Sequence, residues 1–124
     1  MLRSWHRDGE LPLLLDTRSS SEFRGFAFRY MPRMGRIPGS LLLPFEHLYD
    51  RDGSFVRAER YHTLLPEPLR QARPSLAYCE VGVRASTAAL LHELYTGRVL
   101  PVYDGSLMEW AFHAELPVAH DRRM

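Results

Sequence analysis

The stretch LAYCEVGVRAS, residues 76–86, contains the chain's single cysteine and decides the predicted fold. Residues 76–78 are apolar and short, which is typical of a buried strand. After Gly82 the sequence becomes rich in Ala and Leu, and residues 84–95 are predicted to form a helix. A buried strand followed at once by a helix favours parallel strand pairing. Cys79 is therefore predicted to lie between the end of a strand and the start of a helix.

The same alternation continues on both sides of this stretch. Further strands are predicted at residues 13–16, 41–43 and 99–103. Further helices are predicted at residues 19–24, 57–65 and 107–113. Ser19 and Glu22 have the spacing of a capping box for the first of these helices, and Gly25 is expected to end it. The pattern predicts an α/β fold with an open, mostly parallel β-sheet flanked by helices on both faces.

Three polar or reactive residues follow predicted strands. Asp16, Cys79 and Asp104 each come at or directly after the carboxyl end of a strand. In open α/β sheets, ligands bind beyond the carboxyl ends of the strands. We therefore expect these three residues at one edge of the sheet.

Length and composition indicate one globular domain. The 124 residues are 45% apolar and 25% charged, which is ordinary for a soluble protein. We expect a single domain over residues 1–124, with a short leader at 1–10 and a frayed tail at 118–124. No apolar run approaches the ~20 residues of a membrane helix, and the N-terminus lacks a secretory signal. These features predict a cytoplasmic protein that binds no membrane, and a net charge of +1 gives no electrostatic reason to expect nucleic acid.

Residue usage excludes several kinds of chemistry. All sixteen Lys-plus-Arg positions are Arg, so no lysine Schiff base can form, and Arg or backbone amides must hold any oxyanion. One cysteine excludes a disulfide within the chain and a Cys-x-x-Cys redox pair. The six histidines show no metal-ligand spacing. We expect neither a metal site nor a cofactor.

The position of Cys79 favours a reactive thiol. Backbone amides at a helix N-terminus and the positive end of the helix dipole both favour the thiolate. Gly82 permits a positive φ that lets successive N–H groups turn toward the sulfur. Arg84 offers two parallel donors to an oxyanion. From spacing alone, a buried structural cysteine remains an equal alternative.

Four motifs in order make the sequence resemble the rhodanese-like domain over roughly residues 11–118. They are DTR at 16–18 with EFRG at 22–25, GRIPGS at 35–40, YCEVGVRAS at 78–86, and YDGSLMEW at 103–110. The last motif is similar to the C-terminal catalytic domain of the two-domain thiosulfate and mercaptopyruvate sulfurtransferases. The resemblance implies the rhodanese-like fold and a sulfurtransferase activity.

The resemblance also implies a mechanism and a set of site residues. The Cys79 thiolate would take a sulfur from a small anionic donor, thiosulfate-like or mercaptopyruvate-like, and form a persulfide. Cyanide or a thiol would then accept the sulfur. The implied donor-binding residues are the loop positions Glu80, Val81, Gly82, Val83 and Arg84, of which Arg84 would hold either the donor's oxyanion or the loop itself. The implied supporting residues are Asp16, which would tie down the loop through hydrogen bonds, and Arg18 and Arg36. From the residues alone, a plain cap at the end of the strand is an equal alternative for Asp16.

Two carboxylates depart from the patterns of thiosulfate-specific relatives. Thiosulfate-specific members of the family resemble one another in carrying basic residues just after the cysteine, whereas this chain has Glu80 there. A carboxylate at this position disfavours the thiolate form of Cys79, and it also repels a dianionic donor. Glu22 stands where two-domain relatives often have an anion-binding Arg. Four arginines lie in or beside the loop at residues 26–39: Arg24, Arg29, Arg33 and Arg36. They could attract anions to the mouth of the site and so offset the two carboxylates, or they could simply form a solvated surface.

Three alternatives stay open at this point. One is a cysteine phosphatase or arsenate reductase, although the spacing from Cys79 to Arg84 is one residue shorter than the Cys-x5-Arg loop of those enzymes. Another is a rhodanese-like sulfur carrier or regulatory binding module without turnover. The short segment before residue 11 also suggests a homodimer, or a catalytic half that lacks an N-terminal partner domain.

Overall fold

The computed structural model describes residues 12–26, 31–71 and 73–121. In chain order its elements are β1 (Leu13–Asp16), α1 (Ser20–Arg24), β2 (Leu41–Leu42), a 3₁₀ helix (Phe45–Leu48), α2 (Ala58–Leu64), a second 3₁₀ helix (Glu67–Arg70), β3 (Ser75–Tyr78), α3 (Val83–Thr96) and α4 (Ser106–Phe112). The predicted leader at residues 1–10 lies outside the described part of the chain.

The three strands form one parallel sheet in the order β2-β1-β3. Asp16 pairs with Leu42 on one side and with Tyr78 on the other, so all three strands end at the same edge. This confirms the predicted open parallel sheet and places Cys79, the residue after β3, at its carboxyl edge.

Side chains alternate along the strands between two buried clusters. Leu15 and Ala77 pack into one cluster with residues of α2 and α3. Leu14 and Leu76 pack into the other with residues of α4. Both faces of the sheet are therefore covered by helices, as the continuous apolar strands predicted.

The prediction of a fourth strand at residues 99–103 is wrong. Only Val102 forms a bridge, in parallel with Ala77. Ala77 donates to the carbonyl of Pro101, and Tyr103 donates to the carbonyl of Ala77. Pro101 has no N–H to extend this ladder. The segment therefore lies beside β3 without forming a strand.

The described part of the C-terminal segment is hydrogen-bonded to the rest of the domain. Residues 118–121, expected to be part of a frayed tail, are bonded to the segment before β2 and to the end of α1. Arg36 and Ala119 exchange two backbone hydrogen bonds of 2.8 Å, and the Asp121 amide donates to the carbonyl of Arg24 at 2.9 Å. In the described residues, no helix has the length and apolar character needed to cross a membrane.

Candidate active site

Cys79 lies directly after β3, and its sulfur caps the first turn of α3. The Gly82 amide donates to Sγ at 3.0 Å, and the Ala85 amide donates to Sγ at 3.4 Å. Gly82, the N-cap residue of α3, provides no side-chain cap of its own. The sulfur therefore takes the place of a capping oxygen, where amides and the helix dipole stabilise negative charge. Cys79 is only 1% exposed.

Gly82 has the backbone conformation that the loop needs. Its φ is +99°, and a Cβ built on it would lie 3.0 Å from the carbonyl oxygen of Asp104. Both features favour glycine. Asp104 therefore reaches the site through its backbone, which passes beside the turn at Gly82.

Replacing Gly82 by alanine is expected to destabilise the protein by about 1–3 kcal/mol. The Cβ would strain the backbone and press on the Asp104 carbonyl. Gly53→Ala is the matched control, since Gly53 has a φ of +86° and nothing within 4 Å of a built Cβ. Urea unfolding of both variants tests the prediction. Equal losses would show that the contact with Asp104 contributes nothing.

The loop after β3 is also bound to the start of α4. The Cys79 amide donates to Ser106 Oγ at 3.0 Å, and that hydroxyl donates to the Tyr103 carbonyl at 2.8 Å. The Leu107 and Met108 amides donate to the carbonyls of Cys79 and Glu80, each at 3.0 Å. Amides at the N-terminus of α4, which lack partners within the helix, are thus satisfied by the loop that carries the cysteine.

Ser106 adopts a left-handed conformation that is uncommon for a residue other than glycine. Its φ is +52° and its side chain is buried. The hydroxyl accepts a hydrogen bond from the Cys79 amide and donates one to the Tyr103 carbonyl. These two hydrogen bonds account for a serine at a position that strains its backbone.

We expect Ser106→Ala to destabilise the protein by about 1–3 kcal/mol, because the buried Cys79 amide would lose its acceptor. Ser106→Gly loses the same acceptor but relieves the positive φ. It should therefore retain about 1 kcal/mol more stability than Ser106→Ala. Chemical unfolding of the three proteins measures this order. A Ser106→Ala protein as stable as the parent would contradict the assigned role of the hydroxyl.

Arg84 is paired with Glu22 of α1. Its Nη1 and Nη2 atoms lie 2.7 and 2.8 Å from the two carboxylate oxygens of Glu22. Glu22 is 3% exposed and also completes the capping box with Ser19. Burial opposes ionisation of Glu22, but the hydrogen bonds from Arg84 and Ser19 outweigh it and lower the pKa of Glu22. Arg84, which is predicted to hold either a donor oxyanion or the loop itself, is paired in the structure with a carboxylate of α1.

Asp16 and Arg18 form a second buried pair at the end of β1. Arg18 Nε and Nη2 donate to the Asp16 carboxylate at distances of 2.6–3.1 Å, and Nη2 also donates to the Gly35 carbonyl at 2.6 Å. Burial alone would lower the pKa of Arg18, but the hydrogen bonds and charge of Asp16 raise it. The Asp16 carboxylate thus fixes Arg18, which reaches the segment before β2.

Thr17 follows β1 and contacts β3 next to Cys79. Its amide and its hydroxyl both donate to the Tyr78 carbonyl, at 2.9 and 3.0 Å. Thr17 therefore ties the end of β1 to the end of β3, directly before Cys79.

The arginines predicted near the mouth of the site make internal contacts. Arg36 donates to the Phe23 carbonyl and to Asp121, each at 3.0 Å. Arg33 donates to two carbonyls at the end of α4, and Arg24 pairs with Asp121 at 3.2 Å. Arg36 thus supports the segment that precedes β2. Arg29 lies outside the described residues.

The remaining predicted loop residues have distinct environments. Glu80 lies 4.0 Å from Arg84. Val81 and Val83 are 55% and 71% exposed. Within residues 12–26, 31–71 and 73–121, no group of three His, Cys, Asp or Glu residues is arranged to hold a metal ion.

Comparison with known proteins fits this geometry. The profile of the family described as "Rhodanese-like domain" matches residues 2–113. The chain belongs to the rhodanese-like domain family.

The rhodanese-like chain is 37% identical over 108 residues to "Thiosulfate/3-mercaptopyruvate sulfurtransferase 1, mitochondrial" of Arabidopsis thaliana, covering 84% of this chain and 28% of that protein. It is 30% identical to "Sulfur carrier protein TtuD" of Thermus thermophilus, covering 86% and 40%. The solved structure of Tum1 protein from Saccharomyces cerevisiae superposes with a TM-score of 0.78 at 26% identity, covering 98% and 45%. The chain thus spans less than half the length of these relatives.

Three hydrogen-bond contacts at this site of the rhodanese-like domain were not predicted from the sequence. Ala85 donates to the sulfur, Ser106 fixes the Cys79 backbone and Thr17 binds the end of β3. Ser106 had a usable signal, because it follows a Gly in the DGS motif at a predicted turn. The Ala85 contact had none, since a backbone amide donates irrespective of its side chain.

Proposed function

We propose that this rhodanese-like domain is a sulfurtransferase that carries a sulfane sulfur as a persulfide on Cys79. The observation that supports the proposal most directly is the position of Sγ at the N-terminus of α3, within reach of the Gly82 and Ala85 amides. These amides stabilise the negative charge that the thiolate carries before transfer and the persulfide carries after it. The sulfurtransferase name of the Arabidopsis relative agrees with the proposal.

The reaction has two half-reactions. The Cys79 thiolate attacks the outer sulfur of a small donor; a new S–S bond forms, and the donor's bond to that sulfur breaks. With thiosulfate the leaving group is sulfite. An acceptor such as cyanide or a thiol then attacks the outer sulfur of the persulfide, and the Cys79 thiolate leaves. This is nucleophilic catalysis with ping-pong kinetics.

The surrounding residues hold the sulfur in place. Ser106 fixes the Cys79 amide, and the N-terminus of α4 holds the Cys79 and Glu80 carbonyls. Arg84, bound to Glu22, joins the start of α3 to α1. These residues act as positioning groups, because the hydrogen bonds to the reacting sulfur come from the amides at α3.

Intact-mass spectrometry tests the proposal. The protein would be incubated separately with thiosulfate, mercaptopyruvate and cysteine persulfide, beside a Cys79→Ser control. We expect the mass of one additional sulfur atom with at least one donor, its absence in the control, and its removal by cyanide with release of thiocyanate. If no donor adds sulfur to Cys79 while a thiol reagent labels the residue in the native protein, the sulfurtransferase proposal is wrong.

A sulfur carrier without turnover is the second candidate. The relative named as a sulfur carrier protein is 30% identical, and the burial of Cys79 suits storage of a persulfide. Steady-state thiocyanate production separates the two: an enzyme cycles many times with a small donor, whereas a carrier discharges one sulfur for each protein and stops.

The structure disfavours use of the loop as a phosphatase or arsenate reductase site. In that chemistry Arg84 would hold an oxyanion with both terminal nitrogens. Both of those nitrogens lie within 2.8 Å of the buried Glu22 carboxylate. A competing phosphate would have to displace a charge-assisted bidentate pair.

The assembly and location of the protein remain predictions from its sequence. An additional domain would accord with the partial coverage of the longer relatives, and a homodimer stays a prediction from the sequence alone.

A further inference from the structure

A cavity of about 180 Å³ lies at the opposite end of β3 from Cys79. Its mouth is formed by exposed residues and its floor by buried ones. The floor residues are Leu69, His92 and Leu100, and the mouth residues include Gln71, Arg73 and Arg98. The cavity also contacts Ser75, the first residue of β3, and the length of the strand places Ser75 roughly 13 Å from Cys79. The cavity is therefore separate from the loop that holds the sulfur.

The hydrogen bond between Tyr61 and His92 fixes which ring nitrogen of His92 carries the hydrogen. Tyr61 is fully buried, and its hydroxyl lies 2.8 Å from His92 Nδ1. Burial raises the pKa of Tyr61, so the phenol keeps its hydrogen. Nδ1 is the acceptor that the described part of the chain offers to this hydroxyl. The Tyr61 hydroxyl therefore donates to Nδ1, and the His92 hydrogen is assigned to Nε2.

The Nε2–H group of His92 opens to the cavity. It has no hydrogen-bond partner among the described residues. The described side chains contain no nitrogen or oxygen atom that is both shut off from solvent and unpaired. Nε2 must therefore be reached from the cavity that His92 lines, although the residue as a whole is only 4% exposed. A buried donor that opens to a cavity indicates that the cavity holds a hydrogen-bond acceptor.

Two arginines at the mouth decide between water and an anion as that acceptor. One terminal nitrogen of Arg98 donates to the Arg70 carbonyl at 3.0 Å, which leaves its other N–H groups available. Within residues 12–26, 31–71 and 73–121, neither Arg73 nor Arg98 forms an ion pair. Water would satisfy the Nε2–H group alone, but unpaired guanidinium groups beside it favour an anion.

The electrostatic environment of His92 is positive. Burial lowers the pKa of His92 most, and the positive charges of Arg98 and His62 lower it further. The imidazole is therefore neutral at neutral pH and donates through Nε2–H without taking up a proton. The carbonyl end of α3 opposes an anion, but the Glu93 carbonyl there is already bonded to the Gly97 amide at 2.9 Å.

From the cavity, the unpartnered Nε2–H group and the two arginines, we propose a binding site for a small tetrahedral oxyanion of the class of phosphate and sulfate. Donors from three segments line it: Arg73 before β3, His92 in α3, and Arg98 after α3. This arrangement suits acceptors that point in several directions, whereas the two oxygens of a carboxylate share one plane. The site is independent of the sulfurtransferase function proposed above.

The volume of the cavity limits the size of the ligand. The 180 Å³ correspond to about six water molecules at ~30 Å³ each. Pockets for ligands of the size of a drug or a nucleotide begin at about 300 Å³. The cavity therefore holds a small anion together with some water, and it is too small for a whole nucleotide.

Nitrogen NMR of the histidine rings tests the proposal. The protein would be titrated with inorganic phosphate, sulfate and acetate, with chloride at equal ionic strength as the blank. The His92 signals are assigned by their loss in His92→Gln. We expect the Nε2–H signal of His92 to shift with phosphate and with sulfate until it saturates. Chloride should leave the signal in place, and acetate should shift it less.

Charge variants test the contribution of the mouth. Arg98→Gln and Arg73→Gln should each weaken phosphate binding about 10-fold or more, because each removes a charge-assisted hydrogen bond. Both arginines are exposed, so the variants should keep the parental fold. Arg51→Gln is the matched control, since Arg51 is an exposed turn residue outside the cavity and its replacement changes the net charge equally. Phosphate should raise the melting temperature of the parent and of Arg51→Gln more than that of Arg98→Gln.

Each contrary result has a distinct meaning. A His92 signal that responds to neither phosphate nor sulfate would overturn the site. Equal weakening in Arg51→Gln would overturn it as well, because the effect would then be general attraction of charge. A phosphate response confined to the amides of residues 80–86 would place the anion at the loop after β3 instead. An acetate response as strong as that to phosphate would overturn the assignment to tetrahedral oxyanions. Sulfur loading of Cys79 is measured separately, so these results leave the sulfurtransferase proposal unaffected.

Discussion

A Cys79→Ser protein is expected to lose sulfur transfer by a factor of about 10⁴ or more, because the nucleophile is removed while the rest of the site stays in place. Serine retains an acceptor for the amides of Gly82 and Ala85, which donate to the sulfur in the parent. A serine hydroxyl is a far weaker nucleophile than a thiolate at neutral pH. Thiocyanate formation from cyanide and an organic persulfide measures the loss.

The structural control for this variant is its thermal unfolding. Because serine preserves the cap on α3, the melting temperature should stay close to that of the parent. A stable Cys79→Ser protein that still turned over at the parental rate would show that the sulfur passes elsewhere. A variant that failed to fold would reveal a structural role for the thiol, and Cys79→Ala would then show whether the hydroxyl or the lost sulfur is responsible.

An Asp16→Ala protein is expected to lose about 3–5 kcal/mol of unfolding free energy, a larger loss than we expect for Gly82→Ala or Ser106→Ala. Asp16 is fully buried, and Arg18, 2% exposed, has its charge compensated by that carboxylate. Removing Asp16 leaves the guanidinium buried without a counter-charge. Urea denaturation gives the free energy.

Two further variants check that explanation. Replacing both partners, Asp16→Ala with Arg18→Met, removes the unpaired charge and should be less destabilising than Asp16→Ala alone. Arg24→Gln breaks an exposed pair with Asp121 and should change the midpoint little. If the double variant proved less stable than Asp16→Ala, the buried charge would not be the cause of the loss.

Local features of this fold were predictable to within a residue. The helix capped by Ser19 and ended by Gly25 appears as predicted, with both bonds of the capping box present. The strand at residues 13–16 has the predicted bounds. Capping and a continuous apolar run depend on neighbours a few positions away, so the sequence contains the information.

Features that depend on distant partners were not predictable in the same way. Glu22 and Arg84 each stood out in the sequence, but their pairing joins positions 62 apart. Residues 99–103 have the composition of a strand, but Pro101 and the limited contact with β3 reduce them to a single bridge. In both cases the fold decides which groups meet, and a one-dimensional pattern does not contain that information.

Because Cys79 is buried, the rate at which it is alkylated measures how often the loop after β3 opens. With one cysteine in the chain and its residue only 1% exposed, an alkylating reagent reaches the sulfur only when the loop moves away from it. The labelling rate then equals the intrinsic rate of the thiolate multiplied by the fraction of time spent open. A substitution that weakens the contact between the loop and α4 should therefore increase the rate of alkylation. The measurement needs no label introduced into the chain.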